Sequence, residues 1–472
     1  MSADLRWISD ALGVAPVAAA RDVGANADAN ANADRAFAGF EIDSRRVKPG
    51  QCFVALAGDR VDGHAYVAQA QAAGAVAAIV SRPQPAALPQ WVVASPEAAL
   101  QRAAAAWRSR FELPLVGITG SNGKTTTRAL TAAVVAARGP VCATTGNLNN
   151  HLGVPLMLSR LQPAHRTAVI EMGANHLGDI ARLAAWARPQ IGVITQAGDA
   201  HLEGFGSREA IARGKGELIS ALPAHGIAVL NADDAYCPVW QALAGDRRVI
   251  RFGLQAEAEV RAVDIAETAQ SLGFTLVLPH DRAPVHLPLV GRHNLYNALA
   301  AAAVGLALGL DAAAIAAGLA QAEGEAGRLR VFEADGGWRV ADDSYNANPG
   351  SMQAGLDWLA AQPSPRWAVL GAMAELGAAS DAAHRQVGAH AAQRGIDRLV
   401  AVGAAARGLA LGFGDHAEWF ASREQAISAL QPDLAGGITV LVKGSRSAGM
   451  EQVVSALLQG RASSGKSSCS SN

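Results

Sequence analysis

The sequence lacks the features that mark several large classes of protein. Its 472 residues carry a net charge of −1 and no strong basic run, so bulk attraction to nucleic acid or to an anionic membrane is not expected. Charge or glycine interrupts every alanine-rich stretch well before the roughly 20 apolar residues of a membrane span. Residues 1–10 mix polar and charged residues where a signal peptide would need a basic end and an apolar stretch. We therefore predict a cytoplasmic protein without nucleic-acid or membrane partners.

Cysteine is scarce as well. The four cysteines lie far apart and show none of the paired spacings of a metal site. We expect isolated, buried or incidental thiols. They are Cys52, Cys142, Cys237 and Cys469. Two segments also lack the apolar residues of a folded core: 24–34 is a low-complexity loop, and 461–472 is a polar tail that we expect to be disordered.

What the chain has in plenty is short apolar strands that alternate with alanine-rich helical stretches. This alternation is typical of α/β proteins, in which helices flank parallel sheets. Residues 260–289 differ, because they show little helical period and predict an antiparallel edge. The predicted strands are 52–56, 76–80, 115–119, 168–171, 191–195, 228–231, 367–371, 399–403 and 439–443.

The length exceeds that of one compact core and favours several domains. A proline-rich stretch at 82–89 and a glycine-rich stretch at 323–328 are the candidate connections. We therefore predict three domains, 1–90, 91–322 and 323–472.

A glycine-rich loop follows the predicted strand 115–119 and opens a helical pattern. In such loops, backbone N–H groups and the helix N-terminus bind phosphates, a lysine contacts the outer phosphates and a threonine hydroxyl binds Mg²⁺. The loop therefore predicts use of a nucleoside triphosphate. The phosphate-binding residues are Gly120, Ser121, Asn122, Gly123, Lys124, Thr125 and Thr126.

Two further strands end in polar residues that should lie near these phosphates. Glu171 ends the strand 168–171, and His201 follows the strand 191–195. Ligands of parallel sheets bind beyond the carboxyl ends of the strands, so both are candidates for a magnesium site. An ordinary polar loop residue remains the alternative for His201, because Mg²⁺ prefers oxygen ligands.

Eight segments, in this order, resemble the Mur ligase family over nearly the full length. The resemblance implies an N-terminal α/β UDP-binding domain, a central ATPase domain of the phosphate-loop type and a C-terminal Rossmann-like domain. The segments are Gly120-Ser-Asn-Gly-Lys-Thr-Thr, Gly146-Asn-Leu-Asn-Asn-His-Leu-Gly-Val-Pro, Glu171-Met-Gly-Ala-Asn-His, His201-Leu-Glu-Gly-Phe-Gly, Gly291-Arg-His-Asn-Leu-Tyr-Asn, Asp342-Asp-Ser-Tyr-Asn-Ala-Asn-Pro, Ala374-Glu-Leu-Gly and Lys443-Gly-Ser-Arg-Ser.

The segments 147–150 and 343–349 are most particular to the branch of the family that adds the last amino acids. This resemblance implies an ATP-dependent, peptide-bond-forming acid–D-amino-acid ligase. It would join D-alanyl-D-alanine to UDP-N-acetylmuramoyl-tripeptide through an acyl phosphate, with ATP and Mg²⁺, in peptidoglycan synthesis and hence in cell-wall biogenesis, cell shape and division. We expect a monomer.

The resemblance also implies roles for single residues. Thr125, Glu171 and His201 belong to the metal shells, and Lys215 joins them as a carbamate formed with carbon dioxide. Without the family pattern, Lys215 would be a solvated residue on a helix face. The implied catalytic set is Lys124, Glu171, His201, Lys215 and Arg328.

Further residues resemble the family's ATP and substrate contacts. For ATP they are Arg328, Asp343, Tyr345, Asn346, Asn294 and Asn297; for the asparagines, helix caps or turns are the alternative. For the UDP end they are Ser44 and Arg45, where a plain charged turn is the alternative. For the muramoyl part they are Thr145, Asn147, Asn149 and Asn150, and for the dipeptide Glu375, Lys443 and Arg446.

The chain departs from the family at Ala372, where an aspartate is usual, and at Ala326, where a proline is common. Rival interpretations are a sister ligase that adds diaminopimelate or lysine, a folylpolyglutamate synthase, a phosphate-loop kinase or motor-type ATPase, and a nonenzymatic nucleotide-binding module. The Asp-Asn-Pro-Arg tetrapeptide expected of the diaminopimelate type is absent. Folylpolyglutamate synthase would not explain the first domain.

Overall fold

The computed structural model describes residues 5–17, 37–199, 201–255 and 257–459. The predicted loop 24–34 and the predicted tail 461–472 lie outside these ranges. Three separate sheets of four, nine and six strands organise the described chain. The predicted α/β class is thus confirmed.

The first sheet is parallel, in the order β1-β2-β3-β4. The proline-rich stretch 82–89 leads into β4, which pairs with β3, so the predicted division after residue 90 falls within this strand. The strands are β1 Phe40–Glu41, β2 Cys52–Val54, β3 Ala77–Val80 and β4 Gln90–Val92; the helices are α1 Arg6–Leu12, α2 Val67–Ala72 and α3 Pro96–Arg108.

The middle sheet runs in the order β13-β12-β11-β10-β9-β8-β5-β7-β6. Its pairs are parallel except β11–β12 and β12–β13, which confirms the predicted antiparallel edge. The strands are β5 Leu115–Thr119, β6 Val141–Ala143, β7 Thr167–Glu171, β8 Ile191–Ile194, β9 Ile227–Asn231, β10 Arg248–Gly253, β11 Val260–Glu267, β12 Leu272–Val277 and β13 Arg282–Leu287.

The helices between these strands cover both faces of the sheet, which explains why strands such as β5 and β7 are buried throughout. Alanines of α10 pack against α4, and a side chain at Gly305 would meet Val134 of α4 at 2.9 Å. This close packing fixes α4, the helix that follows the phosphate loop. The helices are α4 Lys124–Val135, α5 Gly153–Ser159, α6 Asp179–Ala187, α7 Leu202–Phe205, α8 Arg208–Ser220, α9 Cys237–Ala244, α10 Arg292–Ala307 and α11 Ala312–Ala320.

The third sheet has the order β14-β15-β19-β16-β17-β18 and is parallel except for β14–β15. The predicted division after residue 322 falls in the connection between α11 and β14. The strands are β14 Arg330–Glu333, β15 Arg339–Asp343, β16 Arg366–Gly371, β17 Arg398–Val402, β18 Ala417–Phe420 and β19 Thr439–Lys443; the helices are α12 Pro349–Ala360, α13 Ser380–Gln393, α14 Arg407–Phe413, α15 Arg423–Leu430 and α16 Glu451–Leu458.

Two properties of the described residues bear on the sequence predictions. None of their helices is long and apolar enough to cross a membrane. The three described cysteines, Cys52, Cys142 and Cys237, are free and buried, as expected.

Candidate active site

The phosphate loop joins β5 to α4 and depends on two glycines. Gly120 and Gly123 have φ of +147° and +80°, and a Cβ at these positions would lie 1.9 Å from Thr195 Oγ1 and 2.2 Å from Asn297 Oδ1. Any side chain would therefore force these neighbours apart. The loop presents its N–H groups at the N-terminus of α4, where anions are stabilised.

Lys124, the first residue of α4, turns its side chain back over the loop. Its Nζ donates to the carbonyls of Gly120, at 2.7 Å, and Ser121, at 3.2 Å. Burial lowers the pKa of Lys124, and the Glu171 carboxylate opposes this shift. The ammonium thus lies where it can contact phosphate bound in the loop.

Glu171 ends β7, directly beside β5. Its Oε1 accepts hydrogen bonds from Asn149 Nδ2, at 2.8 Å, and from Thr125 Oγ1, at 3.4 Å. Its Oε2 is buried and has no hydrogen-bond partner. A hydroxyl beside a carboxylate with a free buried oxygen is a donor set that suits Mg²⁺, which takes oxygen ligands.

His201 lies between the middle and third sheets with a left-handed backbone, φ 58°. Its Nδ1 pairs with a carboxylate oxygen of Glu375, another residue of positive φ. Burial, helped by the charge of Lys124, lowers the pKa of His201 and favours the neutral, metal-binding imidazole. Among the described residues no three His, Cys, Asp or Glu side chains group as for a metal, so any ion here needs other ligands.

Lys215 lies on α8, whose first turn is capped by the Ser207 side chain. It is 1% exposed; its Nζ donates to Ala174 O at 3.4 Å and lies 5.2 Å from the centroid of the Phe205 ring. Burial and the charge of Lys124 lower the pKa of Lys215 to about 7. The solvated lysine expected from sequence without the family pattern is thus not what the structure contains.

A cavity of about 740 Å³ opens between the middle and third sheets. On the side of the third sheet, the guanidinium of Arg328 stacks 4.3 Å from the Tyr345 ring, and that of Arg446 lies 5.9 Å from the same ring. The predicted residues that line the cavity are Ser121, Asn122, Gly123, Lys124, Thr125, Thr126, Asn147, Asn149, Asn150, Glu171, His201, Arg328, Tyr345, Asn346, Glu375 and Arg446.

Lys443 and Asp343 do not line the cavity. The two strands that they end are neighbours, and Lys443 Nζ lies 2.6 Å from Asp343 Oδ2 and 3.0 Å from Asn346 O. Lys443 is 1% exposed. It therefore holds the loop after β15 in place, while Ser445 and Arg446 reach the cavity.

Asn294 and Asn297 are buried and point into the structure. Asn294 Nδ2 donates to Val290 O and Asn297 Nδ2 to Asn294 Oδ1, while Asn297 Oδ1 accepts from Thr127 Oγ1 at 3.2 Å. Asn297 therefore links α10 to the phosphate-loop helix, and Asn294 supports the Asn297 amide. Their contact with adenine stays a prediction.

Three predicted substrate residues also lie away from the cavity wall. Thr145 accepts a hydrogen bond from Arg160 at 2.9 Å. Ser44 donates to Gln69. The guanidinium of Arg45 forms two hydrogen bonds to Asp43, and most of the Arg45 side chain is exposed. The structure thus does not join the candidate UDP residues to the cavity.

The structure adds residues that sequence reasoning missed. Thr195 follows β8 and donates to Asn122 O at 2.6 Å; its place at a strand end was a usable signal. Asn348 caps α12 and donates to Asn122 Oδ1 at 2.7 Å across the cavity. This contact spans 226 residues of chain, and no local pattern predicts it.

Three family models match the chain in succession. They are "Mur ligase family, catalytic domain" over residues 37–108, "Mur ligase middle domain" over 118–305 and "Mur ligase, glutamate ligase domain" over 327–446. The chain belongs to the Mur ligase family.

Within that family it is similar to the UDP-N-acetylmuramoyl-tripeptide–D-alanyl-D-alanine ligases. The Escherichia coli enzyme is 45% identical over 420 residues, 88% of this chain and 92% of that protein. Among solved structures, MurF from Acinetobacter baumannii has a TM-score of 0.87 at 34% identity and covers 97% of this chain and 99% of its own. MurF ligase from Thermotoga maritima in complex with ADP has a TM-score of 0.79 at 29% identity, covering 89% and 97%.

These matches confirm the predicted family, the three-domain fold and the class of ATP-dependent ligase. A diaminopimelate ligase and a folylpolyglutamate synthase, at 20% and 18% identity, share the fold alone.

Proposed function

We propose that the chain joins D-alanyl-D-alanine to the terminal carboxylate of UDP-N-acetylmuramoyl-tripeptide, with conversion of ATP to ADP and phosphate. The substrate carboxylate takes the γ-phosphoryl group to give an acyl phosphate. The dipeptide amine then attacks this carbonyl, and phosphate leaves. The route is needed because a free carboxylate is a poor electrophile, whereas phosphate is a good leaving group.

The cavity between the middle and third sheets carries the proposal. It collects a phosphate loop, the Glu171 carboxylate and the guanidiniums of Arg328 and Arg446 in one place. Phosphoryl transfer depends mainly on positioning and on compensation of negative charge. Lys124 and Arg328 supply cations toward the phosphates in this cavity.

Thr125, Glu171 and His201 are the residues that we propose to hold Mg²⁺. The free Oε2 of Glu171 and the depressed pKa of His201 support this set. When bound, the ion would neutralise charge on the phosphate oxygens.

We further propose that Lys215 reacts with carbon dioxide and serves as a carbamate. A buried amine with a pKa of about 7 has a substantial neutral fraction at physiological pH, and only the neutral amine attacks carbon dioxide. The product is an anion with oxygen ligands. Carbonyl labelling with ¹³C-bicarbonate should give a carbamate signal that Lys215→Met lacks, and an unmodified amine in a metal-loaded crystal would contradict this role.

For the substrates, Asn147, Asn149 and Asn150 are proposed to contact the muramoyl part, and Ser44 and Arg45 the UDP end. Glu375 is proposed to orient the dipeptide ammonium, and Arg446 its carboxylate; Lys443, being buried, is proposed to support the same pocket indirectly. We assign the reaction to a cytoplasmic monomer of three domains, near 1–90, 91–322 and 323–472.

Phosphate release from ATP tests the function. It should require both UDP-N-acetylmuramoyl-tripeptide and D-alanyl-D-alanine, and the product should have the mass of the pentapeptide. L-lysine, diaminopimelate or folate with a suitable co-substrate should not replace the dipeptide. Release that is indifferent to D-alanyl-D-alanine would contradict the proposal, and Lys124→Met should abolish release while exposed Lys48→Met should not.

A further inference from the structure

Arg128 of α4 contacts three segments of the site at once. Its side chain is 8% exposed. Nη1 donates to Thr144 O at 2.5 Å, and Nη2 pairs with Oε1 of Glu325. Thr144 precedes the asparagine-rich loop 147–150, and Glu325 lies in the connection between α11 and β14. One guanidinium therefore joins the middle sheet to the connection that leads to the third sheet.

The remaining nitrogen of Arg128 faces Glu171. Nε lies 3.8 Å from Glu171 Oε2, and both atoms are buried without a hydrogen-bond partner. An unpaired buried N–H and an unpaired buried carboxylate oxygen each cost free energy, and a short movement would pair them. Arg128 Nε and Glu171 Oε2 stay apart because Thr144 and Glu325 hold the two terminal nitrogens of the guanidinium.

We propose that Arg128 is a positioning residue that couples the interdomain connection to the carboxylate of Glu171. While Glu325 holds the guanidinium, Glu171 Oε2 stays available to a divalent cation. When the connection moves away from α4, Nε closes on Oε2 and the carboxylate is compensated by protein charge. The inference rests on the proposed metal role of Glu171.

The coupling acts in both directions. If docking of the connection raises the affinity for a divalent cation, the bound cation must favour the docked connection by the same factor. Cation binding and the approach of the third sheet are thus linked through one side chain, without a contact between the cation and the third sheet.

The test compares two glutamates of the same connection. Glu325→Gln removes the charge that holds Arg128 but keeps the size of the side chain. Glu323→Gln is the matched control, because Glu323 is exposed and two residues earlier. Mn²⁺ binding to the full chain with ADP is followed by the paramagnetic resonance signal of free Mn²⁺, which requires no turnover.

We expect Glu325→Gln to raise the Kd for Mn²⁺ about five- to tenfold, in the lower range of measured couplings between sites. Glu323→Gln should leave it unchanged, and the KM for the dipeptide should change in neither. Glu325→Asp, which restores the charge, should recover most of the affinity. Equal Mn²⁺ affinity in the glutamine variants and the parent chain would overturn the inference.

Two further variants separate the coupling from other causes. Arg128→Met combined with Glu325→Gln should bind Mn²⁺ as Arg128→Met alone does, since without the guanidinium the loss of the Glu325 charge has nothing to act through. Strictly additive effects of the two substitutions on Mn²⁺ affinity would overturn the proposed coupling. Equal losses of Mn²⁺ and ADP affinity together with a lower Tm would also overturn it, because they would indicate a merely structural role for Arg128. Glu171→Gln should weaken Mn²⁺ binding most; if it does not, the proposed metal role itself fails.

Discussion

Two buried lysines, Lys443 at the end of β19 and Lys215 on α8, show how surroundings decide what one side chain can do. Lys443 and Lys215 are each 1% exposed. Lys443 Nζ lies 2.6 Å from the Asp343 carboxylate and also donates to a carbonyl at 3.0 Å. Lys215 has a single carbonyl at 3.4 Å and a phenyl ring as neighbours. Lys443 is paired directly with a carboxylate, whereas at Lys215 only the more distant charges of Asp179 and Glu217 oppose the effect of burial.

The pKa shifts follow from this difference. Burial lowers the pKa of both lysines, but Asp343 opposes the shift at Lys443. At Lys215 the nearby ammonium of Lys124 adds to the effect of burial, and the pKa falls to about 7. The first lysine is a structural cation that fixes a loop, and the second is the buried amine that we propose to react with carbon dioxide.

The largest effect is expected from removal of the structural cation. Lys443→Met leaves the Asp343 carboxylate buried and unpaired, which should lower the free energy of unfolding by about 3–5 kcal/mol. Denaturant titration measures it. Lys443→Met combined with Asp343→Leu should recover much of the loss, whereas a double variant as unstable as the single one would contradict the pairing.

Lys215→Met should affect activity strongly and should not lower the stability of the fold. Activity should fall on the order of 10²–10³-fold, as when one preorganised charged group is lost from a site. At neutral pH the free energy of unfolding should not fall, because a poorly partnered polar group is replaced by an apolar one. Phosphate release and denaturant titration on the same sample test both halves. A loss of stability comparable with that of Lys443→Met would contradict the proposed difference between a structural Lys443 and a chemically active Lys215.

The pH dependence of stability sharpens the comparison further. The pKa of Lys215 is about 7 in the folded chain against an ordinary 10.5, so between these values the unfolded chain binds more protons. In buffer free of carbon dioxide, stability should therefore rise with pH above 7, by up to about 1.4 kcal/mol per pH unit, relative to Lys215→Met. Parallel stability curves for the two proteins would show that Lys215 is not buried as a neutral amine.

The smallest effect is expected at an exposed lysine. Lys48→Met removes the same charge and chain length from the surface. The free energy of unfolding should change by no more than about 0.5 kcal/mol. This variant sets the baseline in the denaturant titrations, and a larger change would mean that loss of a lysine matters wherever it lies.

Much of the fold could be predicted because the pattern of apolar residues along the chain indicates which segments are buried. The limits of β5 and β19 agree with prediction residue for residue, and Glu171 lies at the strand end where it was expected. The phosphate loop could be predicted equally well, because its local backbone conformation requires glycine at Gly120 and Gly123.

The pairings between distant segments could not be predicted. For Lys443, which stays a predicted dipeptide residue, the ion pair with Asp343 that follows from the place of β19 beside β15 was not predicted. For Asn297, which stays a predicted ATP contact, the hydrogen bond with Thr127 that follows from the packing of α10 on α4 was not predicted. Both outcomes depend on strand order and helix packing, which one sequence does not specify.

The burial of the described cysteines has a practical consequence. Burial raises the pKa of the thiols of Cys52 and Cys237, and that of Cys142 to about 11, so these thiols stay protonated and shielded. In a chain with Cys469 replaced by serine, cysteines introduced at exposed Ala185 of α6 and Gln393 of α13 should take up fluorophores selectively. Energy transfer between the two dyes could then follow the approach of the middle and third sheets during a single turnover.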